Sequence, residues 1–234
     1  MVSLRSSITN FFRDFHQRFS LEKILVIGDS HVEVFSHRNF IQAFPLTYFR
    51  VCSVGGATAS GLENPNSTTQ AFKKFDEALH QKDYDKILVM LGEVDTGFVI
   101  WYRAKKYQAD VNEMLKETVD TYIGFIKTLQ AFGPVVVIST PLPTIDDSSR
   151  GEVANARREV EATQRERTVL TLEFNRQILQ FCQDQNINYL DLDEECLGED
   201  DLVRSDLKHK DPGDHHYDIG KYSKMLIDRL KACI

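Results

Sequence analysis

From Lys23 onward, short apolar runs alternate with longer stretches in which apolar positions recur every three or four residues. The short runs (23–28, 47–54, 86–91, 134–139 and 188–192) are rich in Ile, Val, Leu, Tyr or Phe, and most are flanked by turn residues, so they predict five strands. The longer stretches (32–43, 69–81, 107–131, 151–185 and 219–232) carry helical periodicity. This alternation is the signature of an α/β protein whose parallel sheet is covered by helices on both faces. No internal repeat interrupts it.

Two segments stand apart from this rhythm. Residues 1–20 place Leu4, Ile8, Phe11, Phe12, Phe15 and Phe19 at helical spacing, interrupted by Arg13, Asp14 and Arg18. A signal-peptide core does not tolerate those charges, so the segment reads as an amphipathic helix ahead of one domain over 21–234. It can dock on the domain, on a partner chain or on a lipid surface, and docking on the domain is the expectation. Residues 150–167 mix Arg150, Arg157, Arg158, Arg165 and Arg167 with Glu152, Glu159, Glu161 and Glu166. Few large apolar residues lie among them, so a water-facing helix is expected, with a homodimer contact as the functional alternative.

Composition narrows the classes. A chain of 234 residues with 42% hydrophobic and 27% charged residues can bury a core and is not a disordered protein. Its 28 Lys+Arg against 35 Asp+Glu give a net charge of −7, a poor footprint for neutralising phosphates, so no nucleic-acid partner is expected. The four cysteines, Cys52, Cys182, Cys196 and Cys233, lie far apart without a C-x-x-C pair, which fits reduced thiols in a cytoplasmic protein rather than zinc or a disulfide framework. No apolar run approaches the roughly 20 residues of a membrane span. No G-x-G-x-x-G or G-x-x-x-x-G-K-[ST] follows a strand, which weakens a nucleotide-binding reading, and no cofactor is implied.

In a doubly wound sheet, ligands bind beyond the carboxyl ends of the strands, so the loops leaving those ends carry the chemistry. After the first strand comes Gly28-Asp29-Ser30-His31, a tight turn with a serine at the start of the next helix, where an N-cap is the structural alternative to a nucleophile. After the second, residues 53–61 are rich in small side chains, so their backbone N–H groups can approach an anion or developing oxyanion; a flexible turn is the other reading. After the third, Gly92-Glu93-Val94-Asp95 offers two carboxylates, followed by Phe98, Trp101, Tyr102 and Arg103. Those aromatic rings beside an arginine suit a sugar ring and an anionic group, and equally suit core packing. A loop at 139–143 stiffened by Pro141 and Pro143 follows the fourth strand. Before the last helix, Asp211-Pro212-Gly213-Asp214-His215-His216-Tyr217 can supply a base and the acid that orients it. Metal binding is not expected there, because consecutive histidines do not readily point at one ion and no third soft ligand is near in sequence.

Taken in chain order, Gly28-Asp29-Ser30, Gly56, Gly92-Glu93-Val94-Asp95 and 214–216 resemble the blocks of the SGNH (GDSL-type) hydrolases over nearly the whole domain. The resemblance implies a flavodoxin-like three-layer α/β/α sandwich and activity as an esterase, lipase, thioesterase or carbohydrate deacetylase. It makes Ser30 the nucleophile and places the oxyanion hole at the backbone amides of Ser30 and Gly56. The family's Asp-x-x-His spacing is not met. His216 oriented by Asp214 is the chosen base, because the aromatic Tyr217 follows it, and His215 with Asp211 is the alternative. Asp29, His31, Glu93, Asp95, Trp101 and Arg103 are the expected substrate-binding residues. The third block ordinarily reads Gly-x-Asn-Asp, with the Asn side chain as an oxyanion donor, and here Val94 holds that column. Loss of one such donor typically lowers kcat by 10² to 10³, so either another group donates or the chain is a slow or non-catalytic carbohydrate-binding relative. The same phrase resembles a branch with Gly-Glu-(Ile/Val)-Asp found near bacterial surface-polysaccharide genes, which implies a small-molecule or glycan ester as substrate, with acetyl as the expected acyl group.

Overall fold

The computed structural model of the chain describes residues 20–148 and 159–232. The amphipathic segment expected at 1–20 therefore lies, but for its last residue, outside the described residues, as does most of the charged stretch before 159.

Five strands form one parallel sheet in the order β2-β1-β3-β4-β5: β1 Glu22–Gly28, β2 Thr47–Ser53, β3 Lys86–Met90, β4 Val135–Ile138 and β5 Asn188–Leu190. Each lies within a residue or two of its expected run; the central strands β1, β3 and β4 stand out because their buried positions are almost all apolar. In β1, Leu25 and Ile27 enter one core cluster, while Ile24 and Val26 enter the other. All four have no exposed surface, and each such side chain contributes about 1.5–3 kcal/mol on burial.

Helices α2 (Ala71–His80), α4 (Val111–Gln130) and α5 (Gln164–Asp184) supply Phe75, Ile126 and Phe174 to the Leu25 face. On the Ile24 face lie a 3₁₀ helix (Ser30–Ser36), α1 (Arg38–Ala43) and α6 (Ile219–Leu230), with Phe35, Phe40 and Leu226 in the core cluster on that side of the sheet. The three-layer α/β/α sandwich is thus present.

The helical periodicity located these elements but not their breaks. The stretch 32–43 is two pieces, because His37 takes an extended conformation (ψ 143°) between the 3₁₀ turn and α1. The segment after Asp95, expected as a loop, is a π turn (Asp95–Val99) running into α3 (Ile100–Tyr107). Gln108 then turns left-handed (φ 51°) and Asp110 caps α4. Helix α5 begins only at Gln164, where Thr163 and Glu166 form a reciprocal capping box. The water-facing expectation for 150–167 fails at Arg167, which is 1% exposed. Its guanidinium donates to the carbonyl of Ile145 at 2.8 Å and lies 3.5 Å from Asp147, tying α5 to the loop after β4.

The strand order reverses direction between β1 and β3, so the crevice opens beyond their carboxyl ends. Gly28 ends β1 there, and a Cβ on it would lie 2.3 Å from both the Met90 carbonyl oxygen and Val32 Cγ1. Only glycine lets the chain turn from β1 into the 3₁₀ helix this close to β3.

Candidate active site

Asp29, not Ser30, caps the 3₁₀ helix: its side chain accepts from the backbone N–H of His31 at 2.9 Å. Ser30, the first residue of that helix, is half-buried and has its hydroxyl available for another partner. That partner is His216, whose Nε2 lies 2.8 Å from Ser30 Oγ across 186 positions of sequence. On the other side of the ring, His216 Nδ1 lies 2.6 Å from Asp214 Oδ1, which also accepts the His216 backbone N–H at 2.9 Å. Burial alone would raise the pKa of Asp214, but the His216 backbone and ring, with the nearby His209, hold it below the usual carboxylate value. A carboxylate kept ionised at Nδ1 fixes the imidazole tautomer and supports the imidazolium form.

The placement of His216 depends on contacts that local sequence does not reveal. An isolated bridge pairs Tyr217 with Lys208, and Asp218 N–H donates to the Leu207 carbonyl at 2.7 Å. Tyr217 is buried, and its hydroxyl accepts the backbone N–H of Leu142 at 2.7 Å, so the loop at 139–143 serves as the mooring of the histidine segment. That loop is itself fastened, because Thr140 Oγ1 donates to the Leu91 carbonyl and Asn175 bonds both backbone groups of Thr140. Tyr217 entered the sequence reading only as the aromatic neighbour of a histidine; its anchoring role, and those of Thr140, Asn175 and His209, carried no motif.

The alternative pair is not assembled. Asp211 is exposed, and its carboxylate accepts from the Gly213 N–H at 2.9 Å inside its own turn. His215 instead packs its ring on His216, with centroids 4.1 Å apart. Consecutive histidines, expected to diverge, are thus brought side by side by the turn that Asp214 closes. His31 completes a cluster of three imidazoles, with centroids 4.7 Å from His216 and 5.2 Å from His215.

Several expected substrate-binding residues are structural. Asp29, Glu93 and Asp95 have exposures of 1%, 1% and 0%, which leaves no surface for a ligand. Asp95 accepts from Ala59 N–H at 2.7 Å, Ser60 N–H at 3.1 Å and the Ser60 hydroxyl at 2.6 Å, so it clamps the small-residue loop after β2. Burial raises its pKa to about 6, with those three bonds offsetting part of the effect. Asp29 holds His31 Nδ1 at 3.0 Å. Burial by itself would lower the His31 pKa, but the carboxylates of Asp29 and Glu93 raise it to about 9. His31 is 4% exposed and reaches the His215 carbonyl from Nε2 at 3.5 Å, so it lies behind the crevice floor.

Trp101 and Arg103 are also committed elsewhere. The Trp101 indole N–H donates to the Thr96 carbonyl at 2.7 Å and its ring packs on the core, while Arg103 pairs with Glu117 of α4 at 3.0 Å. They follow Asp95 along one continuous helical path, which directs them toward α4.

The clamped loop carries Gly56, exposed and in the left-handed region at φ 72°, a conformation that favours glycine. Val94 is half-buried at the start of the π turn and offers no side-chain donor.

Comparison with known proteins gave no matching family model and no match among curated proteins. Solved structures are similar in fold. An acetyl xylan esterase aligns over 91% of this chain and 99% of its own with a TM-score of 0.57 and 13% identity. A GDSL-like lipase from Bacteroides thetaiotaomicron aligns over 91% and 87% with a TM-score of 0.57 and 16% identity. An acetylxylan esterase from Geobacillus stearothermophilus, in a form carrying a catalytic mutation, aligns over 91% and 94% with a TM-score of 0.53 and 16% identity. No helix among the described residues is long and apolar enough to cross a membrane. Similar to these structures over nine-tenths of its length, the chain has the three-layer α/β/α fold of a GDSL-like lipase and of acetyl xylan esterases.

Proposed function

We propose that this protein is a carboxylic-ester hydrolase that works through Ser30, His216 and Asp214. The observation that carries the reading is the unbroken chain from Ser30 Oγ through the His216 ring to the Asp214 carboxylate, with links of 2.8 and 2.6 Å, at the carboxyl edge of the sheet. A hydroxyl is a weak nucleophile until a base accepts its proton, and both distances lie within the range for such transfer.

In the first half-reaction, Ser30 Oγ attacks the ester carbonyl while its proton passes to His216 Nε2. The imidazolium then gives that proton to the departing alkoxide, leaving an acyl-serine. In the second, water loses a proton to His216 as it attacks the acyl carbon, and the proton returns to Ser30 Oγ when the acid leaves. Asp214 stays ionised throughout and orients the ring. The backbone N–H groups of Ser30 and Gly56 hold the carbonyl oxygen as it becomes negative. With Val94 where a side-chain donor is expected, these amides carry the oxyanion, and a lower kcat than an enzyme with a third donor follows.

The fold shared with acetyl xylan esterases supports a small acyl group, acetyl, on a carbohydrate as the substrate class. Hydrolysis of p-nitrophenyl acetate and labelling by a fluorophosphonate probe test the reading. Wild type is expected to turn over and label, and Ser30→Ala to do neither. A wild type indistinguishable from Ser30→Ala in both assays overturns it in favour of a binding module.

A further inference from the structure

Two Asp-x-His units converge on the same volume. In 29–31 and in 214–216, the aspartate Oδ1 accepts both the backbone N–H of the histidine two residues on, at 2.9 Å in each case, and its Nδ1, at 3.0 and 2.6 Å. A carboxylate bonded to Nδ1 leaves Nε2 as the other ring nitrogen, which in His31 lies 3.5 Å from the His215 carbonyl and in His216 2.8 Å from Ser30 Oγ; metal-ligating histidines almost always have such a carboxylate or carbonyl partner. His215, held against both rings, adds a third imidazole. One ring nitrogen from each of His31, His215 and His216 lies within 4.8 Å of the other two.

We infer that His31, His215 and His216 form a binding site for a divalent transition ion of the zinc type, and that ion binding and ester hydrolysis exclude one another. The ligand set selects the metal class: three neutral imidazoles suit Zn²⁺, Ni²⁺ or Cu²⁺, whereas Ca²⁺ and Mg²⁺ require oxygen donors. Tetrahedral zinc with bonds of 2.0–2.1 Å needs ligand nitrogens about 3.3 Å apart, so the rings must close inward by up to roughly 1.5 Å. His215 and His216 are half-exposed and can rotate to do so. The fourth position opens toward Ser30 Oγ or water.

The exclusion rests on the proposed function. His216 Nε2 has one lone pair, which either receives the Ser30 proton or holds the ion.

The test uses the full chain, untagged and stripped of metal. Zn²⁺ is titrated calorimetrically at pH 8 into wild type and His215→Ala, with His215→Gln as the second variant should the first fail to fold. One ion per wild-type chain is expected, with binding at least tenfold weaker in the variant. Zn²⁺ should suppress p-nitrophenyl acetate hydrolysis by wild type, a chelator should restore it, and the variant, measured against its own metal-free rate, should need at least tenfold more Zn²⁺ for the same fractional suppression. Absence of stoichiometric binding, equal affinity in the variant, or full hydrolysis by the zinc-loaded protein overturns the inference. A wild type that binds one ion but hydrolyses nothing overturns the proposed function and with it the exclusion, while the ion site stands.

Discussion

Replacing Asp95 with alanine separates loop anchoring from substrate contact. The carboxylate accepts three hydrogen bonds from Ala59 and Ser60, and its removal leaves the Ala59 amide, in a fully buried residue, without an acceptor. An orphaned buried donor costs about 1–3 kcal/mol, and Asp95→Ala is expected to lose at least that much at pH 7. The pH dependence is the sharper signature. Burial raises the folded-state pKa from 3.8 to about 6, despite the bonds from Ser60 and Ala59 that favour the charged form. Between those values the folded chain keeps a proton that the unfolded chain has released. The contribution of this group is therefore fully present below about pH 4, falls as pH rises to about 6, and is level above that. A shift of about two pK units corresponds to about 3 kcal/mol. Urea unfolding of both proteins at pH 4, 5, 6 and 7 should show a difference in unfolding free energy that is larger at pH 4 than at pH 7 by up to about 3 kcal/mol. A difference that stays flat or grows with pH refutes the dominance of burial at this carboxyl. A variant as stable as wild type whose only defect is a raised KM refutes the anchoring role.

The other expectations are local. Tyr217→Phe removes the acceptor of the buried Leu142 N–H and should lower stability by about 1–3 kcal/mol in urea unfolding, with a fall in p-nitrophenyl acetate kcat as His216 loses its mooring. Gly28→Ala drives a methyl group into the Met90 carbonyl and Val32, and should destabilise by roughly 3 kcal/mol or more in thermal unfolding. Arg167→Ala should cost about 2–3 kcal/mol through the lost charged bond to the Ile145 carbonyl and lost packing, whereas Arg165→Ala, at an exposed position, should stay within about 0.5 kcal/mol. Equal effects at 165 and 167 would return both arginines to a solvated face.

The central strands were legible from sequence because β3 and β4, and β1 from Ile24 on, are buried and almost wholly apolar, a local property that survives in one dimension, while β2 and β5 at the sheet edges show only as short runs of β-favouring residues. The SGNH-like blocks were legible for a related reason: Ser30, Gly56 and the 211–217 segment sit in short loops whose residue types are dictated by turn geometry and by chemistry. Other features depended on partners distant in the chain. That His216 rather than His215 meets Ser30 is decided by Tyr217 docking on Leu142, a contact between residues 75 positions apart. Whether an acidic residue after β3 faces substrate or clamps a loop depends on burial, and Asp95 looks the same in sequence either way. Trp101 and Arg103 left the site because a π turn carried them onto a helix facing α4. The chain alone thus determined the layers and the inventory of reactive groups, since both follow from local polarity. The pairing of those groups, and the gathering of three imidazoles at one point, was settled only by long-range packing, which selects among side chains that local chemistry leaves equivalent.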